Sequence, residues 1–272
     1  MPTSNKDKEY VMKKVGMLVT VLLGLSIVPS QAADQKSLVI IDSYFDSRVS
    51  YAQIVKLPNK CLNSGKISTS YSDNYNHGSA MVEVAHKQNP SLPIIAICSA
   101  AVGPTGTIAD VNGLDFLTAL NWVIANSQSV GAVSFSRSIS NNTKVGDCKL
   151  ASSGLTVTVA KADADIRTAI TTLKSKGINV FASTGNSPSK PVNYPACISD
   201  VNSVAAGIGP MVYNSSYDAT VDYVGSLPDT GVFNYNSPVF GLIPQTTSSA
   251  NVAVASLAVN NIFTTKVVKV LP

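Results

Sequence analysis

Four residues in this 272-residue chain carry the side-chain chemistry needed for acyl transfer, and they lie far apart: Asp42, His77, Asn186 and Ser248. A serine that attacks a carbonyl needs a base to take its proton and an acid to orient and stabilise that base. It also needs hydrogen-bond donors for the oxyanion that forms. Ser248 stands in TTSSANVAVASLAV, Thr246 to Val259, where four hydroxyl residues precede an apolar, Ala-rich run. The run predicts a buried helix, and hydroxyls at a helix start ordinarily serve as caps. The first turn of such a helix also offers free N–H groups and the positive end of the dipole to a developing negative charge. His77 follows DNYN, precedes Gly78-Ser79 and opens a helix-like stretch that runs to Lys87. The other histidine, His86, falls on the opposite side of that helix and reads as a solvated residue near its end.

The elements that must position these residues alternate regularly. SLVIIDS (Ser37 to Ser43), LPIIAICS (Leu92 to Ser99), GAVSFS (Gly131 to Ser136), INVFAS (Ile178 to Ser183) and VNSVAAG (Val201 to Gly207) are short apolar runs that read as buried strands. Between them lie helical stretches. GLDFLTALNWVIANS (Gly113 to Ser127) places Leu114, Leu117, Leu120 and Val123/Ile124 on one face. ADADIRTAITTLKSKG (Ala162 to Gly177) closes on its glycine. This order predicts an α/β fold, a single domain with a parallel sheet sandwiched by helices. Functional groups in such sheets gather outside the carboxyl ends of the strands. Asp42 stands at one such end, and Gly185-Asn186 follow another.

Composition narrows the function classes. With 45% hydrophobic and 13% charged residues, the chain buries a large core. A net charge of +4 without a dense Lys/Arg cluster gives nucleic acid no electrostatic footprint. Lys13 and Lys14 precede the apolar run Val15 to Val28, and small residues follow at Ser30 and Ala32. This pattern predicts a signal peptide over 1–32, with 33–272 as the exported domain, secreted or periplasmic, and no membrane association after cleavage. Removing residues 1–32, with four lysines and two acidic residues, leaves a charge of +2. Cys61, Cys98, Cys148 and Cys197 then face an oxidising compartment, which predicts two disulfides. Spacing alone leaves three pairings open, and no cysteine–histidine spacing favours a metal.

The motifs taken together resemble the subtilisin-like serine peptidases. VIIDS resembles the strand that ends in that family's catalytic Asp, and DNYNHGSAMVEVA its His-Gly helix start. VFASTGN with YPACISDVNSVAA is similar to the segment carrying the oxyanion Asn, and TTSSANVAVASLA to the nucleophile helix. The likeness runs in family order over residues 37 to 262. It implies that Asp42, His77 and Ser248 form the catalytic triad of an exported serine endopeptidase, with Asn186 donating to the oxyanion. It further implies that Ser136, Arg137 and Ser138 pair with an extended peptide. By the same likeness Ser183, Thr184 and Gly185 are expected to form the opposite wall of the primary pocket. The family's layout brings Cys148 near Cys197 and leaves Cys61 with Cys98.

Implied partners are a peptide or protein substrate bound as a strand, with neither nucleic acid nor membrane, and the chain acting as a monomer. No cofactor is called for; structural calcium stays open, because the family binds it through loop carbonyls that sequence does not display. Three positions depart from the family pattern: Tyr44 and Thr246 replace glycines, and Val252 replaces a proline. Thr246 conflicts with any turn that needs a positive φ there. No folding propeptide is recognisable between Ala32 and Asp42. The competing reading keeps the fold but not the turnover, as a peptide- or partner-binding module. An esterase of the α/β-hydrolase type is disfavoured by the order Asp, His, Ser and by the lack of GxSxG.

Overall fold

The apolar run at Ser37–Asp42 forms β1, a central strand buried on both faces. The computed structural model describes residues 35–46, 48–58, 60, 76–99, 111–139, 147–150, 158–208, 211–212, 215–216, 221–225, 234–244, 246–260 and 267–269. The expected signal peptide and Cys61 lie outside them. The remaining strands are β2 (Ala52–Lys56), β3 (Ile94–Cys98), β4 (Val130–Phe135), β5 (Asn179–Ser183), β6 (Asn202–Ile208), β7 (Met211–Val212), β8 (Tyr223–Gly225), β9 (Asn234–Ser237), β10 (Gly241–Pro244) and β11 (Val267–Lys269). The helices are α1 (His77–Gln88), α2 (Gly113–Ala125), α3 (Val159–Ser175) and α4 (Thr247–Ala258).

The main sheet has the order β2-β3-β1-β4-β5-β6-β8-β11, with β7 paired to β6. Its strands from β2 through β8 along this path run parallel, while β7 and β11 are antiparallel. The α/β sandwich expected from the sequence is the observed architecture. The chain places β3 on one side of β1 and β4 on the other, so the strand order reverses at the β1/β4 boundary. A crevice forms outside the carboxyl ends of the strands at such a point.

The two-residue period of the strands sorts side chains between two clusters. Val39, Ile41, Val133, Phe135, Val180 and Ala182 pack with α2 and α3. Leu38, Ile40, Ala132, Phe181, Val204 and Ala206 pack with α1 and α4. Carried one step further along each strand, the same alternation puts Asp42, Ser136 and Ser183 on the α4 face at the carboxyl edge. Helix α4 is buried along its whole length, which its uninterrupted apolar run requires.

Several local expectations are corrected. The buried face of α2 is Phe116, Ala119, Leu120 and Val123, while Leu114, Leu117 and Ile124 are only half-buried, because the helix packs against both the sheet and α3. Helix α3 begins at Val159, three residues before the expected start, since the Thr158 hydroxyl accepts from the Lys161 N–H and caps it. The half-buried strand β2 has no apolar alternation that would reveal it. His86 is not a freely solvated side chain: its ring stacks on Tyr51 with centroids 4.0 Å apart.

Candidate active site

β1 carries Asp42 to the carboxyl edge of the sheet, where it is fully buried. Its carboxylate accepts from His77 Nδ1 at 2.9 and 3.0 Å, and from the Ser43 N–H at 2.7 Å and hydroxyl at 3.1 Å. Ser99, just past the neighbouring β3, donates its N–H (3.0 Å) and hydroxyl (2.9 Å) to the Asp42 carbonyl and fixes that strand end. Burial by itself would raise the Asp42 carboxyl. The charge and hydrogen bond of His77, the Arg137 guanidinium and the Ser43 N–H outweigh it and hold the group below the usual carboxylate range. Asp42 is therefore an anion at neutral pH. It holds the His77 ring with Nδ1 as donor, which leaves Nε2 to accept a proton.

His77 is the first residue of α1, and the glycine after it has a steric cause. A methyl group at Gly78 would lie 2.5 Å from the Tyr44 carbonyl oxygen, 2.9 Å from the Phe45 ring and 3.0 Å from Asp42 Cβ. The loop after β1 thus packs flat against the helix start, and only glycine allows the approach. Tyr44, at a position where the resembled family has glycine, is half-buried between the buried Ser43 and Phe45.

Ser248 occupies the second position of α4, and the first turn of that helix accounts for nearly all its donors. The Thr246 N–H donates to Ser249 Oγ at 2.9 Å, the Ser249 N–H to Thr246 Oγ1 at 3.4 Å, and the Thr247 N–H to Asn186 Oδ1 at 3.0 Å. The Ser248 N–H is the first-turn amide left without a partner among the described residues. Asn186 is exposed, and the Thr247 hydroxyl also donates to its Oδ1, at 2.9 Å. A backbone N–H can only donate, so the atom facing it is the amide oxygen, and Asn186 Nδ2 points away from Thr247. Among the described residues Asn186 Nδ2 and the Ser248 N–H are thereby left as open donors at the start of α4.

The Ser248 hydroxyl donates to the Ser136 carbonyl at 3.0 Å, and the Ser136 hydroxyl donates to the Ser248 carbonyl at 3.0 Å. Ser248 and His77 share no hydrogen bond in this state. Asn251, one turn further along α4, donates to Ser134 Oγ at 3.0 Å and to the Phe135 carbonyl and Ser136 Oγ at 3.2 Å, tying α4 to the end of β4. Arg137 lies half-buried just beyond this point, and Ser138 is exposed. On the other side Ser183 and Thr184 are buried, and Gly185 has φ +106°, a conformation open to glycine.

Thr246 is not strained. Its φ of −131° and ψ of 170° are extended, and its side chain forms a capping box with Ser249. Val252, in place of the family's proline, is buried in an unbroken helix. Cys148 and Cys197 form a disulfide with Cα atoms 5.6 Å apart, and Cys98 is also disulfide-bonded. The supporting roles of Ser99 and Asn251 are not legible in the sequence motifs. Only Asn251 gave a signal, as an amide inside an apolar helical run.

No protein-family model matches the sequence, and no curated protein matches it either. Solved structures do share its fold. The prenylagaramide maturation protease PagA aligns with a TM-score of 0.54 at 17% identity, covering 84% of this chain and 75% of that one. The patellamide maturation protease PatA aligns with a TM-score of 0.54 at 15% identity, covering 83% and 77%. The PatG macrocyclase in complex with peptide gives 0.55 at 13% identity, covering 83% and 75%. The fold is subtilisin-like.

Proposed function

We propose that this chain is an exported serine endopeptidase in which Ser248 is the nucleophile, His77 the general base and then general acid, and Asp42 the anion that orients and stabilises His77. The single observation that carries the reading is the state of the first turn of α4. Three of its four amides are satisfied, and the open one belongs to Ser248, beside the exposed amide end of Asn186. Such a turn is suited to receive an oxyanion.

In the proposed reaction Ser248 Oγ attacks the substrate carbonyl carbon while its proton passes to His77 Nε2. The Ser248 N–H and Asn186 Nδ2 hold the oxyanion. The tetrahedral species collapses, His77 gives the proton to the leaving amine, and the acyl-enzyme forms. Water then repeats the sequence, with His77 again as base, and releases the acid. Ser248 first turns its hydroxyl from the Ser136 carbonyl to His77, a step between staggered χ1 wells. Peptide substrate is further supported by the neighbouring fold of a macrocyclase in complex with peptide. Export is supported by the apolar N-terminal run and by the disulfides.

One observation favours the second reading, a peptide-binding module without turnover: the Ser248 hydroxyl is bonded to Ser136, not to His77. Incubation with a denatured protein substrate separates the two. The peptidase reading predicts cleavage that is lost in Ser248→Ala and His77→Ala. Peptide binding without cleavage by the folded wild type supports the module.

A further inference from the structure

The ends of β4 and β5 are neighbours in the sheet, with Phe135 paired to Ala182, so Ser136 and Ser183 flank one gap on the α4 face. Ser136 touches Ser248 from one side of this gap, and Gly185 leads into Asn186 on the other. If the acyl carbon lies at Ser248 Oγ and its oxygen at Asn186, the side chain of that acyl residue enters the gap. The wall it meets includes Asn193. The flanking Val192 and Tyr194 are buried in the cluster under α2 and α3, and the Asn193 amide turns instead toward Gly185. A methyl at Gly185 would lie 3.1 Å from the amide carbon of Asn193 and 3.0 Å from Ser216 Oγ. The backbone there is anchored by Asn193 N–H to the Thr184 carbonyl (3.0 Å) and by Ser216 N–H to the Gly185 carbonyl (2.7 Å).

Asn193 is 8% exposed and Thr184 fully buried, yet Asn193 Oδ1 and Thr184 Oγ1 have no hydrogen-bond partner among the described residues; Asn193 Nδ2 and the hydroxyl of Ser183, 6% exposed, make no hydrogen bond there either. Buried polar side-chain groups are as a rule paired, so two unpaired ones on the same wall call for a partner. The wall residues Ser183, Thr184, Gly185 and Asn193 carry no charge. A primary amide has one acceptor and two donors. An ammonium would only donate to it, a carboxylate would only accept, and a Leu side chain would seal both ends unpaired.

We infer that Asn193, with Ser183, selects substrates whose residue on the acyl side of the scissile bond is Asn or Gln. The inference rests on the peptidase reading above. Another carboxamide satisfies both ends of Asn193 at once and leaves a donor for Ser183. Because Leu matches Asn closely in shape, the comparison of those two isolates hydrogen bonding from size.

The test is cleavage of a peptide set that differs only at the acyl-side residue (Asn, Gln, Leu, Lys, Glu), by protein that first reacts with a fluorophosphonate. Wild type should favour Asn or Gln over Leu by about 10- to 100-fold in kcat/KM, the value of two neutral hydrogen bonds. In Asn193→Leu the preference should invert or vanish. Should that variant fail to fold, Asn193→Asp keeps the shape and should favour Lys. Reactive wild type that cleaves after Leu as well as after Asn overturns the inference alone, as does an Asn preference that survives in Asn193→Leu. Folded wild type that neither reacts with the phosphonate nor cleaves any peptide overturns the peptidase reading and this inference with it.

Discussion

Ser136 and Ser248 exchange hydrogen bonds, each hydroxyl donating to the other residue's carbonyl at 3.0 Å. The end of β4 and the start of α4 are thus locked in register, 112 residues apart in sequence. In the proposed reaction the Ser136 hydroxyl, bonded to the Ser248 carbonyl, keeps the Ser248 backbone and the amide left open among the described residues in place while the Ser248 hydroxyl changes rotamer. Preorganised donors of this kind cost no reorganisation when charge develops.

Asn186 accepts from Thr247, and in the proposed reaction it has a second, separable job as donor to the oxyanion. Asn186→Ala loses both, and Asn186→Asp keeps the acceptor but loses the donor. Both variants should lose on the order of 10²–10³ in kcat with KM little changed. Urea denaturation should show Asn186→Ala destabilised by about 1–3 kcal/mol. Asn186→Asp should show no such loss, since a carboxylate at a helix N-terminus is favourable. Equal destabilisation of the two would remove Thr247 as the anchor.

Thr246 caps α4 from an extended backbone, so no turn there needs a glycine. Thr246→Ala should cost about 1 kcal/mol in unfolding free energy and Thr246→Gly only a few tenths. A glycine variant more stable than wild type would reveal strain that the φ of −131° does not show.

Acid should act through Asp42. Burial raises its carboxyl, but His77, Arg137 and the Ser43 N–H lower it further, so the native group titrates below the unfolded one. The unfolded state then takes up the proton first, and the stabilisation is fully present above the unfolded value, about pH 4. It is lost as pH falls through the lower native value. The stability difference between wild type and Asp42→Asn should therefore shrink as pH drops from about 6 to about 3. A difference that grows toward acid would contradict the sign.

The sequence made the sheet legible because its strands are buried on both faces and read as continuous apolar runs, as in SLVIID and NVFAS. Asp42, His77, Asn186 and Ser248 stood out because they follow or open apolar elements and because their motifs run in the order of the resembled family. What was not legible is set by tertiary packing. Half-buried β2 carries no alternation. The faces of α2 depend on its contact with α3. The extended backbone of Thr246 follows from its capping box rather than from residue type. Ser99 acts through Asp42, a partner distant in sequence, so no local pattern marks it.

The central claim is that Ser248 is an activated nucleophile, and covalent labelling of the purified protein with a fluorophosphonate tests it most directly. Wild type should be labelled at Ser248, mapped by peptide mass, and Ser248→Ala should not be labelled. His77→Ala should react about 10²- to 10⁴-fold more slowly, the usual contribution of a general base. Folded, disulfide-bonded wild type that takes no label, or takes it at another residue, would contradict the account.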